Sequence, residues 1–192
     1  MRAGALRLLG FLLCGMAVCG TGLAQSLFNE PDLHFMHHMS VHHEQALVMS
    51  ELVPTRSDRP EFHQFADYVY RAQAAEIDLM GALVALAAER GAEVPMHELP
   101  GDPPMEGMLS LTQMAALERS SGAEFERLWL EGMIYHHQGA IDMSAVQQAQ
   151  QSANDRRPFA LSVLVEDIIV EQRAEITKMR DWLAEWGLAA SL

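Results

Sequence analysis

One pattern is written twice in this 192-residue chain. The segment 39–50 reads M-x-x-H-H-x-x-A-x-x-M-S and carries Met39, His42, His43, Ala46, Met49 and Ser50. It recurs at 133–144 with Met133, His136, His137, Ala140, Met143 and Ser144. A second match follows each copy: Gln73, Glu76, Ile77 and Met80 correspond to Gln172, Glu175, Ile176 and Met179. The offset is 94 residues for the first match and 99 for the second, so two equivalent units differ slightly in their internal connections. A repeat of this kind limits the fold to architectures in which two like halves pack on one another.

Each half reads as a helical hairpin. Pro31 and Asp32 open a first helix and Pro54 is expected to close it near Val53, with a turn over 55–60. Phe62, Phe65, Ala66, Val69, Ile77, Met80, Leu83 and Val84 then recur at helical spacing as far as Gly91. Residues 92–107, with four prolines and two glycines, read as a linker. A short helix is expected at about 109–119. The second hairpin follows, over about 123–151 and 158–186, with Gly187 as its C-cap. No strand pattern stands out. A lone hairpin cannot bury its apolar stripe, so the expected fold is all-α, a ferritin-like four-helix bundle built from two repeated hairpins. Repeat one spans 32–91 and repeat two 109–187.

Residues 1–24 stand apart. Arg2 and Arg7 precede an apolar run from Leu8 to Val18, and Gly22 and Ala24 supply small residues for cleavage. The segment reads as a secretory signal peptide cut after Ala24. A membrane anchor needs about 20 apolar residues, and this run is shorter. Both cysteines, Cys14 and Cys19, fall within it, so the expected mature domain, 25–192, has no thiol chemistry. The expected location is therefore periplasmic or secreted, without stable membrane insertion. A net charge of −13 opposes nucleic-acid binding and favours cations.

The repeated residues are of ligand type. At 100° per residue, Met39, His42, His43, Ala46 and Met49 share one core-facing arc, as do Met133, His136, His137, Ala140 and Met143. Glu76 and Met80, like Glu175 and Met179, are i,i+4 pairs on the following helices. A single methionine at helical spacing is usually packing. Four imidazoles in a small core are another matter, because burying them without partners is costly. Thioethers select Cu(I), and imidazole accepts Cu(I), Cu(II) or Zn(II), so methionine with histidine and no cysteine points to copper. A di-iron centre would use Glu-x-x-His motifs, and the chain has none. His34, His37 and His38 add a group without counterpart in repeat two. His34 and His38, spaced i,i+4, form a second, more exposed candidate for a divalent ion. Because imidazole must be deprotonated to coordinate, copper affinity is expected to fall below about pH 6.5.

These residues resemble a bacterial domain-of-unknown-function family with twin M-x-x-H-H segments, whose members include periplasmic copper-binding CopM-like proteins. The resemblance covers about 32–187 and is strongest from Gly122 to Ile141. It implies a ferritin-like helical protein tied to copper in some members. It carries over Met39, His42, His43 and Met49 with Met133, His136, His137 and Met143. The function expected is copper sequestration or transfer, with a copper-donor or copper-acceptor protein as partner. A metal-dependent oxidase and a metal-free structural module are the alternatives.

Overall fold

A computed structural model describes residues 27–93, 101, 105–150 and 158–189. Among these, five helices and no strand occur: α1 (Glu30–Arg56), α2 (Pro60–Glu89), α3 (Leu111–Arg119), α4 (Gly122–Ala149) and α5 (Phe159–Glu185). The signal segment 1–24, together with Met96 and His97, lies outside the described residues.

The helix ends follow from local chemistry. Asn29 caps α1: its side chain accepts from the Asp32 amide at 2.8 Å, while the Asp32 carboxylate accepts the Asn29 amide. This reciprocal arrangement satisfies two amides that have no partner inside the helix. Ser110 and Gln113 do the same for α3. Pro54 does not end α1, which continues to Arg56. Proline removes one donor and crowds the carbonyl four residues back. In the last turn that costs little, and the helix closes instead through the Ser57 amide on the Val53 carbonyl.

The two hairpins, α1–α2 and α4–α5, meet along α1 and α4. Their apolar side chains form two clusters. One holds Met49, Val53, Phe62, Phe125, Trp129, Met133, Met179 and Trp182. Here Phe62 meets the Trp129 ring edge-on at 4.9 Å, and the Trp129 indole donates to the Met49 carbonyl at 2.9 Å. The other cluster holds Leu33, Met36, Met39, Met80, Leu161, Val165 and Ile168. Along the four long helices, Ile141 apart, the members of the two clusters are separated by His42 and His43, Gln73 and Glu76, His136 and His137, or Gln172 and Glu175. A polar layer thus crosses the middle of the molecule.

The linker is more than a connection. Its last residue, Gly107, and the Met108 and Leu109 that follow are buried against the helices. Gly107 has φ +88°, and a Cβ there would lie 2.6 Å from the Gly139 Cα, so both glycines are needed for the backbones to touch. The Gln45 carboxamide clamps the same strap, donating to the Leu109 carbonyl at 2.9 Å and accepting its amide at 2.6 Å.

Candidate metal centre

The layer is organised about a pseudo-twofold axis. His42 and His136, equivalent residues of the two repeats, have ring centroids 3.8 Å apart. The second histidine of each pair reaches outward to the carboxylate of the next helix. His43 Nε2 donates to Glu76 Oε2 at 2.8 Å, and His137 Nε2 donates to Glu175 Oε2 at 2.6 Å. The His136 ring donates through Nε2 to the His42 carbonyl at 2.7 Å. All four imidazoles are fully buried.

In these three rings the Nε2 proton is committed to an oxygen. The neutral ring then carries its lone pair on Nδ1, and the Nδ1 atoms of His43, His136 and His137 are buried without a hydrogen-bond partner. His42 makes no well-formed hydrogen bond through either nitrogen, although the Glu106 main chain lies close enough to offset part of its desolvation. Burial, followed by the neighbouring imidazoles, holds His42 and His136 well below the usual histidine pKa. Glu171, raised by desolvation and then by Glu76 and Glu175, extends an acidic face across α2 and α5. The Tyr68 hydroxyl, raised chiefly by Glu171, shares it.

The methionines form two sets, each drawn from both repeats. Met39, Met80 and Met143 belong to one cluster, and Met133, Met179 and Met49 to the other. Met39 and Met49, which share an arc of α1, therefore serve opposite ends of the molecule. Met143 is half-buried, whereas its counterpart Met49 is fully buried. Among the described residues no three His, Cys, Asp or Glu side chains converge closely enough to hold a metal ion, so the set expected from sequence is not a ready-made nitrogen and oxygen cage. His34 and His38 lie apart from the layer, half-buried near the start of α1, with ring centroids 3.9 Å apart.

Sequence reasoning passed over two more members of the layer and a pair of buried hydroxyls beyond it. Gln73 and Gln172 are each 2% exposed, and neither carboxamide has a hydrogen-bond partner. The Ser50 and Ser144 hydroxyls are likewise buried and unpartnered. Both pairs occur within the duplicated segments, and that duplication was the signal for them.

The sequence pattern of a family described as a domain of unknown function, DUF305, matches residues 32–183. The chain belongs to DUF305. A DUF305 protein of Streptomyces coelicolor, assigned as secreted, is 28% identical with a TM-score of 0.69, covering 82% of this chain and 94% of its own. A DUF305 fragment from Deinococcus radiodurans is 27% identical with a TM-score of 0.67, covering 82% and 97%. CopM in its Cu(II)-bound form is 27% identical with a TM-score of 0.66, covering 81% and 97%. CopM has also been solved with Cu(I) and with silver bound. No curated protein gives a significant match. No helix among the described residues of this DUF305 chain is long and apolar enough to cross a membrane.

Proposed function

We propose that the protein is an exported copper-binding protein that sequesters Cu(I) or Cu(II), or passes it to a partner. Its methionine and histidine side chains would hold the ion inside a ferritin-like four-helix bundle. In this reading residues 1–24 are the signal peptide and 25–192 a single domain. Copper is cargo here, and binding rather than turnover is the activity.

The observation that carries the reading is the hydrogen bonding of three buried rings, each tied through Nε2 to an oxygen. Histidines that ligate metals commonly donate their other N–H to a carboxylate or a backbone carbonyl, which orients the ring and fixes the free lone pair. His43, His137 and His136 are held in this manner by Glu76, Glu175 and the His42 carbonyl. Leaving the Nδ1 atoms dry and unpaired is costly unless something accepts their lone pairs. A thioether set lies on either side of the layer, and soft sulfur with imidazole is a copper donor set. The copper-bound CopM relatives support the same choice of metal.

The same hydrogen bonds favour a second reading, in which the histidines tie helices together and no metal binds. An anaerobic Cu(I) titration against a chromophoric chelator separates the two. Wild type should compete for a countable number of ions. The joint change of His42, His43, His136 and His137 to alanine should abolish competition. Met39→Leu, Met80→Leu, Met143→Leu, which conserves side-chain volume and hence the fold, should weaken it at least tenfold. Failure of the wild type to compete would overturn Cu(I) binding in the layer and favour the structural reading.

A further inference from the structure

A cleft of about 520 Å³ opens between the start of α1 and the end of α4. Glu106 of the strap and Gly139 of α4 both line it, beside Met143. The buried layer begins directly behind them. A Cβ at Gly107 would lie 3.0 Å from His42 Nε2 and 2.6 Å from the Gly139 Cα, and the Glu106 main chain also lies close to the His42 ring. The Glu106–Gly107 peptide thus meets the cleft on one side and a fully buried imidazole on the other. That imidazole is the one in the layer whose two nitrogens both lack a well-formed hydrogen bond.

The strap is held lightly. On the α4 side it rests on two glycines one above the other, Gly107 on Gly139 and Leu109 on Gly132, where a Cβ would lie 3.0 Å from Leu109 Cδ2. On the α1 side the Gln45 carboxamide holds the Leu109 amide and carbonyl. Among the described residues, the backbone hydrogen bond within 105–109 is a single turn contact, from the Met108 amide to the Met105 carbonyl at 3.2 Å. Parting α1 from α4 instead would break the Trp129 bond to the Met49 carbonyl and the His136 bond to the His42 carbonyl. Local opening begins where such bonds are fewest, and that is the strap. The cover is also one-sided, because the first repeat has Gln45 at the place of Gly139.

We propose that the strap is a gate over His42, latched by Gln45, and that lifting Glu106–Gly107 off Gly139 joins the cleft to the buried layer. Leu109, packed in the core, is the fixed end about which the peptide swings. Gln45 positions the gate without touching the ion. The gate is a property of the metal-free fold; its use as the entrance for Cu(I), past the half-buried Met143, rests on the copper binding proposed above.

The test needs no metal at first. Deuterium exchange at the imidazole Cε1–H of each histidine, followed by NMR in metal-free protein, reports how often water reaches each ring. Gln45→Ala removes both bonds of the latch and should speed exchange at His42 about fivefold or more, with His137 unchanged. Gly139→Ala, which presses on the Glu106–Gly107 peptide itself, should act in the same direction. A rise confined to His42 in either variant supports the gate. No rise in both variants overturns it, and so does a rise shared equally by His42 and His137, which would report general loosening. Cu(I) supplied anaerobically as its acetonitrile complex should then enter Gln45→Ala about fivefold faster, at the wild-type stoichiometry. An unchanged entry rate in a variant with faster His42 exchange overturns the strap as the entrance. A wild type that takes up no Cu(I) removes the function proposed for the layer, while His42 exchange still decides the gate.

Discussion

A buried imidazole that stays neutral links stability to pH, and His42 and His136 give that linkage a definite sign. Folded, both resist protonation because burial disfavours the cation. Unfolded, each takes up a proton near its ordinary value of 6.5. Below that pH the unfolded chain binds more protons, so stability falls on acidification, with a limiting slope of about 2.7 kcal/mol per pH unit for two rings. Urea unfolding of the metal-free protein between pH 7.5 and 5 should show this loss, and H42Q/H136Q should reduce the slope. The same depression revises the expectation that copper affinity falls below about pH 6.5: at these two rings, competition from protons begins lower. The His137–Glu175 bond makes a separate prediction. Glu175→Ala leaves a buried ring N–H without an acceptor and should cost about 1–3 kcal/mol in the same assay. Glu175→Gln keeps an acceptor oxygen and should recover most of the loss.

Elements differ in how far their sequences announce them. The long helices were legible because apolar spacing, Pro31, Asp32 and the 55–60 turn all agree. Pro54 misled, since its effect depends on whether a further turn must follow it, and here none does. The strap was illegible for a deeper reason. Residues 105–107 read as the end of a glycine- and proline-rich linker, and only tertiary contact shows Gly107 resting on Gly139. Gly139 is the place in the repeat where the first copy has Gln45, and that residue clamps the strap through its side chain. The ligand-type residues of the layer were legible from duplication. Their grouping was not, because a helical arc cannot tell which hairpin will cover it. Gly139→Ala offers a direct check: its Cβ would lie 2.8 Å from the Glu106 carbonyl oxygen and 2.6 Å from the Gly107 Cα. Backbone cannot rotate aside as a side chain does, so the substitution should cost about 1–3 kcal/mol and raise amide hydrogen exchange at Leu109.

At the scale of the whole molecule, the polar layer and both methionine sets depend on the two hairpins being joined face to face. Each set takes two thioethers from one hairpin and one from the other. A chain divided within 94–104 should therefore yield halves that bind Cu(I) weakly when alone and regain the intact protein's stoichiometry when mixed in equal amounts, as read by the chelator assay. Halves that bind fully on their own would show that each hairpin holds a self-sufficient set. Duplication has not made the two ends alike, however. Met49 is sealed in the core while Met143 is half-buried. Were copper to bind as proposed, an ion at the Met143 end would have a partly exposed sulfur by which to depart, whereas one at the Met49 end would wait for the protein to breathe. One molecule would then keep two clocks, a fast exchange at one pole and a slow release at the other.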